Sequence, residues 1–360
     1  MKNILAHLRQ NPLSFLVIAL PLAILAELLH WGPLWIFIFS AVGLVPMAGY
    51  IGKATEAMAF YTGPRIGGLL NATLGNAAEL IITLVAINAG LLDLVKASIT
   101  GSIIGNLLLV MGLSMVVGGI KHGTQSFDRR HASNNAILLI LAILALIIPS
   151  FFSGSIGDEH SIGVEALSLG VAVVMMALYV LGIIYSLKAA RSPITHETTV
   201  EPHHKPSMTV VQSIVLLAAA TIGVVLLSEL LVGEIEHVTE NLGLSEFFLG
   251  IILVPIIGNV AEHLVAVQVA LRNKMELSVE IAVSSSLQIA LFVAPLLVFL
   301  SLAMGNPLTL IFNPFELIAL GAGVIISAFV SLDGESNWLE GAALLAIYLM
   351  LGLSFFLLPF

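Results

Sequence analysis

Gly75-Asn76-Ala77-Ala78-Glu79-Leu80 and Gly258-Asn259-Val260-Ala261-Glu262-His263 are two copies of one short pattern, 183 residues apart. The same offset carries Gly67 onto Gly250 and Ser102 onto Ser285, so both copies keep their lengths through two successive apolar segments. Each glutamate falls near the middle of a segment long enough to cross a bilayer. A charge at that depth costs about 2.5–3.5 kcal/mol on insertion scales, which makes it a functional residue by default. Two such residues in one motif at one spacing reinforce each other.

Working outward, the 360-residue chain is 59% hydrophobic and 10% charged, with a mean hydropathy of +1.08. A soluble domain carries about 25% charged residues, so the fold class is an all-α polytopic membrane protein with the lipid bilayer as its surroundings. A net charge of -9 argues against a nucleic-acid partner. The absence of cysteine excludes disulfides and thiolate metal sites. Met1-Lys2-Asn3 through Arg9 is a short polar lead into the first span. No small-residue cleavage site stands out, so that span is read as retained.

At about 20 apolar residues per crossing, the sequence predicts eleven transmembrane helices. They cover 13–30, 33–51, 66–89, 95–118, 133–152, 162–187, 210–233, 246–271, 277–303, 314–332 and 337–358. The stretch 190–209, with Pro193, Pro202, Pro206 and three histidines, is the one long polar connection and reads as a linker. With the N-terminus inside, inner segments hold Lys2, Arg9, Lys53, Arg65, Lys121, Arg129, Arg130, Lys188, Arg191, Lys205, Arg272 and Lys274. Outer segments hold Lys96 alone. That split of twelve to one satisfies the positive-inside rule and puts the C-terminus outside.

Parity then sets the architecture. The offset moves span three onto span eight, five crossings on, and an odd shift reverses direction through the membrane. The expected organisation is an extra N-terminal helix (1–32), a first five-helix repeat (33–189), a cytoplasmic linker (190–209) and an inverted second repeat (210–360). Inverted repeats recur in secondary transporters, with the site at the midplane between them. Glu27, Asp93, Glu165, Glu229, Glu316, Asp333, Glu335 and Glu340 all fall near span ends, where water or headgroups are expected to receive them. Glu79 and Glu262 are the two expected to be trapped at mid-depth.

Asn76 and Glu79 are three residues apart and share a helix face, as do Asn259 and Glu262. Gly75 and Gly258, with Pro255, weaken the helices there and are expected to free backbone carbonyls. Irregular backbone at that depth is tolerated only when buried or lining a cavity. The following spans add Ser98, Ser102 and Asn106 in one half and Ser284, Ser285, Ser286 and Gln288 in the other. Two carboxylates among amide, hydroxyl and carbonyl oxygens suit a hard cation. Ca²⁺ accepts six to eight oxygen ligands in flexible geometry, whereas Mg²⁺ gives up water reluctantly. For Ser98, Ser284, Ser286 and Asn71, helix packing is the preferred reading, since small polar residues let membrane helices approach. His263 adjoins Glu262 and so points elsewhere, where it either tunes the site by hydrogen bonding or serves the structure.

The runs GNAAELIITLVAINAG (75–90), KASITGSIIGNLLLVMG (96–112) and GNVAEHLVAVQVALRNKMELSVEIAVSSSLQIALFVAP (258–295) closely resemble the two repeat signatures of the calcium/proton exchangers. Those belong to the calcium/cation antiporter superfamily. DGESNWLEGAALLAIY (333–348) is similar to that family's last turn and final span. The resemblance implies Ca²⁺/H⁺ exchange in a bacterial plasma membrane, with Glu79 and Glu262 as binding carboxylates. It assigns Asn76, Ser102, Asn259, Ser285 and Gln288 to their support. From the residues themselves, Glu79, Glu262 and His263 are the expected proton-coupling set. No cofactor is implied beyond the transported Ca²⁺ and H⁺, and a homo-oligomer is compatible but not required. Under the offset Gln288 matches Gly105, so the site is expected to be lopsided. The linker offers only Glu197 and Glu201 where relatives often carry an acidic run, which argues against a regulatory calcium site there.

Two close carboxylates in a poorly solvated pocket disfavour double ionisation and titrate as a pair. Ca²⁺ and protons are therefore expected to compete for them, while the empty, doubly charged form crosses between facing states with difficulty. Na⁺/Ca²⁺ exchange is the nearest rival, separated by the resemblance alone. A cation channel would normally build its filter as a ring from several subunits. An intramembrane hydrolase finds no His-Glu-x-x-His and no Gly-x-Ser-x-Gly in the chain.

Overall fold

The computed structural model describes residues 12–159, 161–188 and 208–358. Among these, eight helices are long and apolar enough to cross a membrane. In chain order the rods are α1 (Phe15–Leu28), α2 (Pro33–Thr62), α3 (Pro64–Leu74), α4 (Ala77–Asn88) and α5 (Leu92–His122). Next come α6 (Arg129–Ile156), α7 (Ile162–Lys188), α8 (Val210–Gly233) and α9 (Ile235–Leu242). The chain finishes with α10 (Glu246–Leu271), α11 (Met275–Met304), α12 (Pro314–Val330) and α13 (Trp338–Leu357). The first and tenth expected spans fall on the shorter apolar helices α1 and α12, and the third on α3 followed by the shorter apolar helix α4. Most of the expected linker lies outside the described residues.

Local chemistry sets the helix ends. Gly32 and Gly63 adopt positive φ (102° and 82°) directly before Pro33 and Pro64. Glycine turns the chain there, and a proline at the first helical position has no N–H to leave unsatisfied. Thr209 with Gln212, Asn313 with Glu316 and Asn337 with Glu340 form capping boxes at the starts of α8, α12 and α13.

Polarity is turned inside out relative to a soluble protein. Leu181 on α7 is 60% exposed and Val211 on α8 is 70% exposed, whereas Asn76, Ser98, Thr100, Ser102 and Ser285 are buried. Helices α2 and α8 pack reciprocally through glycine. A Cβ built on Gly43 would lie 2.9 Å from Leu227 Cδ1, and one on Gly223 would lie 2.8 Å from Met47 Sδ. At one end of the bundle, Lys121 Nζ donates to the Leu271 carbonyl (2.9 Å) and Gln125 Nε2 donates to Asn273 Oδ1 (2.8 Å). At the opposite end, Lys96 Nζ pairs with Asp93 (2.8 Å) and Glu159 (2.9 Å), and Thr309 donates to the same Glu159 oxygen. The lone basic residue expected outside is therefore consumed in ion pairs.

Three expectations are corrected. The fold is not purely helical, because Gln125–Ser126 and Glu335–Ser336 form a short antiparallel strand pair, with Gln125 opposite Ser336. Glu316 does not reach water. It is 2% exposed, with one oxygen capping the Asn313 N–H and the other accepting from Thr100 Oγ1 at 3.3 Å. The two glycines do not loosen their helices equally. The chain breaks at Gly75–Asn76 between α3 and α4, but α10 runs unbroken through Gly258. The irregularity in α10 is a π-helical turn at Leu249–Leu253, ahead of Pro255. Further π turns interrupt α5 at Gly105–Val110 and α11 at Ile289–Val293, positions that correspond under the offset. Such turns are common at functional sites.

Candidate ion-binding site

Each motif places its glycine four residues before its glutamate; in α10 both lie on one helix face, while in the first motif the break at Gly75–Asn76 falls between them. The two motifs meet. A Cβ on Gly75 would sit 2.8 Å from Glu262 Oε1, and one on Gly258 would sit 3.5 Å from the Glu79 Cβ. The motif segments therefore run antiparallel past each other, glycine of one against glutamate of the other.

Each glutamate takes a hydroxyl donor from the next rod of its own half. Ser102 Oγ on α5 donates to Glu79 Oε1, and Ser285 Oγ on α11 donates to Glu262 Oε2 at 2.6 Å. The halves are then stitched together. Asn259 Nδ2 donates to Glu79 Oε2 (3.3 Å), to Ser102 Oγ (3.3 Å) and to the Pro255 carbonyl (3.2 Å). Asn76 Nδ2 donates to Gln288 Oε1 at 2.7 Å. The seven polar residues assigned to Ca²⁺ in the sequence thus form three hydrogen-bonded groups, Glu79 with Ser102 and Asn259, Asn76 with Gln288, and Glu262 with Ser285. Six of them, Asn76, Glu79, Ser102, Asn259, Ser285 and Gln288, are buried, while Glu262 is half-buried.

The layer is short of donors. Among the described residues, Asn76 Oδ1 and Asn259 Oδ1 are buried and accept no hydrogen bond. Buried polar atoms are normally paired, and an unpaired acceptor next to a carboxylate is what a hard cation would engage. No three His, Cys, Asp or Glu side chains gather as a metal cluster among the described residues. Any cation held here must take neutral oxygens to complete its shell, and Asn76 and Asn259 offer them.

Residues given to packing behave differently. Ser286 Oγ returns to the Ala282 carbonyl (2.9 Å) and Ser284 Oγ to the Glu280 carbonyl (2.7 Å), both within α11. Ser98 Oγ is buried and, among the described residues, unpaired. His263 turns away from the carboxylates, and its Nε2 donates to Asn106 Oδ1 on α5 at 3.2 Å. Sequence spacing marks Asn106 as a polar neighbour but carries no signal for that contact, because it joins different halves. The Pro255 carbonyl accepts from Asn259 Nδ2 at 3.2 Å.

The chain matches the sodium/calcium exchanger protein family over residues 32–188 and 212–357. It is 44% identical to a Ca²⁺/H⁺ antiporter of Aphanothece halophytica over 98% of both chains. It is 43% identical to the Ca²⁺/H⁺ antiporter ChaA of Bacillus subtilis, over 97% of this chain and all of that one. Among solved structures, native YfkE superposes with a TM-score of 0.84 at 42% identity, covering 96% of this chain and 100% of the other.

Proposed function

We infer that this chain, which belongs to the sodium/calcium exchanger protein family, is a Ca²⁺/H⁺ antiporter of a bacterial plasma membrane. The observation that carries the reading is the layer itself. Two glutamates from antiparallel motif helices are each held by a serine of their own half, with two unpaired amide oxygens beside them. Relatives named Ca²⁺/H⁺ antiporters at 43–44% identity over essentially the whole chain support it.

Ca²⁺ takes the doubly ionised pair, and the Asn76 and Asn259 oxygens and water complete its shell. As Ca²⁺ leaves, protons neutralise the glutamates, because two close carboxylates in a buried layer disfavour carrying both charges. The loaded and the protonated forms each carry little net buried charge and can cross between facing states. The empty dianion is costly to enclose, and exchange rather than leak follows. His263 is placed to shape the layer through Asn106, not to bind the ion.

Eleven crossings in two inverted five-helix repeats, with the N-terminus and linker inside and the C-terminus outside, accommodate this mechanism. Tags at the N-terminus and within 190–209 should report the inner side, and a tag after Phe360 the outer. Tags at both termini on the same side would remove the inverted arrangement. The functional test is labelled Ca²⁺ uptake into proteoliposomes under a set pH gradient. Uptake driven by the pH gradient is expected, and uptake driven by a Na⁺ gradient alone would make the chain a Na⁺/Ca²⁺ exchanger instead.

A further inference from the structure

Asn76 and Asn259 are counterparts under the repeat offset, yet they are held differently. Asn259 sits inside the unbroken helix α10 and donates to Glu79, Ser102 and the Pro255 carbonyl. Asn76 follows the break at Gly75, makes no side-chain capping bond to α4, and donates to Gln288 Oε1 at 2.7 Å. The helix that fixes Asn259 is interrupted at Asn76, so the direction of Asn76 depends on what packs around it. A binding side chain keeps its geometry only when the residues behind it are themselves locked by packing.

Tyr179 of α7 packs against both segments that carry the Asn76–Gln288 bond. The residue is buried, and its ring stacks on Phe292 with centroids 4.9 Å apart and planes at 24°. Phe292 belongs to the π turn that starts directly after Gln288, and it lies about one turn further along α11. At the far end of the ring, the Tyr179 hydroxyl is buried beside the Thr73 side chain of α3, short of a regular hydrogen bond. Thr73 lies three residues before Asn76, just ahead of the break. Under the offset Thr73, Gln288 and Phe292 match Ile256, Gly105 and Leu109. Each residue that joins Tyr179 to the Asn76–Gln288 bond thus has a counterpart without its hydroxyl, amide or ring.

We infer that Tyr179 is a positioning residue for Ca²⁺ binding. It braces Gln288 through the Phe292 ring and the first motif through Thr73, and so holds Asn76, whose Oδ1 accepts no hydrogen bond, in place for the ion. The alternative is that Tyr179 only fills space between α3 and α11, as buried aromatic rings commonly do. The two roles move different quantities. A filler changes how much protein inserts and how fast it works, and its loss adds to any loss at Gln288. A brace changes the affinity for Ca²⁺, and its loss is absorbed once Gln288 is gone, because residues that act through one another are not additive. The inference rests on the Ca²⁺ reading of the site, and its test separates the two.

Labelled Ca²⁺ uptake under a set pH gradient is measured against Ca²⁺ concentration in proteoliposomes, normalised to inserted protein. The chains compared are the unaltered one, Tyr179→Ala, Tyr179→Phe, Gln288→Ala and the double variant Tyr179→Ala with Gln288→Ala. Tyr179→Ala should raise the half-saturating Ca²⁺ about tenfold and leave the maximal rate within about twofold. In the Gln288→Ala background the same change should add no more than about twofold. Tyr179→Phe keeps the stack on Phe292 and loses a hydroxyl that closes no regular bond, so its half-saturation should stay within about threefold of the unaltered chain. Unchanged half-saturation in Tyr179→Ala, or a double variant whose shift is the product of the two single shifts, would overturn the positioning role and leave the exchange function standing. An unaltered chain that carried no Ca²⁺ would remove the Ca²⁺ reading and this role with it. Should Tyr179→Ala fail to insert, Phe292→Leu removes the same stack from the other side and takes the same outcomes.

Discussion

The two motif helices begin from nearly the same sequence and end differently. The first breaks at Gly75–Asn76 and sends Glu79 into complete burial, held by Ser102 of its own half and Asn259 of the other. The second stays helical through Gly258, carries its π turn earlier, and leaves Glu262 half-buried with Ser285 as its donor. A site made by repetition is thus not a symmetric site. Glu79 is held by donors from both halves, while the described side-chain donor of Glu262 comes from its own half.

The sharpest way to break the comparison is to add one methyl group to each glycine. A Cβ on Gly75 would lie 2.6 Å from the Asn71 carbonyl and 2.8 Å from Glu262 Oε1, whereas one on Gly258 makes ordinary contact at 3.5 Å. Gly75→Ala should lower Ca²⁺ uptake at least about tenfold, the effect of about 1.4 kcal/mol, while Gly258→Ala should stay within about twofold. Equal losses would show that the helices meet symmetrically after all.

Next in size are the serines. Hydrogen bonds to charged groups contribute about 1.5–3 kcal/mol. Ser285→Ala strips Glu262 of its described donor, but Ser102→Ala leaves Glu79 with Asn259. Apparent Ca²⁺ affinity should fall more for Ser285→Ala than for Ser102→Ala, measured as uptake against Ca²⁺ concentration. The reverse order would mean that Asn259 does not support Glu79.

Gln288→Ala leaves the buried Asn76 amide without its acceptor, a loss of about 1–3 kcal/mol, and should weaken uptake more than Ser286→Ala. Ser286 bonds only its own helix, so equal effects in correctly inserted protein would undo the assignment. The smallest effect is expected from Glu197→Gln with Glu201→Gln, which should leave the Ca²⁺ dependence unchanged. A marked shift would reveal a regulatory site in the linker.

Much of the buried polar constellation is legible in the amino-acid sequence. Glu79, Glu262, Asn76, Asn259, Ser102 and Ser285 follow from one offset, because a duplicated motif records which residues a site reuses. Gln288 stands out as the odd member, since its counterpart is Gly105, and its bond to Asn76 is the cross-half stitch that this asymmetry allows. Contacts fixed by tertiary packing are not legible in the same way. Glu316 sits three residues after Asn313, a capping-box spacing visible in the sequence, yet its burial depends on Thr100 reaching it from α5. The different fates of Gly75 and Gly258 likewise depend on which neighbour each backbone meets, and spacing along the chain does not record that.

The central claim is that Ca²⁺ and protons compete for one pair of glutamates. It is tested by recording Ca²⁺ and H⁺ fluxes together in vesicles for the unaltered chain, Glu79→Gln and Glu262→Gln. Glutamine keeps the size and hydrogen bonding but removes a charge and a proton carrier. In the unaltered chain, raising pH should tighten Ca²⁺ binding, because fewer protons must be displaced. Each variant should insert normally and lose coupled exchange, and raising pH should not restore it, since a glutamine has no proton to lose. A filter in a channel would instead leave downhill cation flux without proton movement, and proton-coupled Ca²⁺ exchange surviving in both variants would contradict the two-carboxylate mechanism outright.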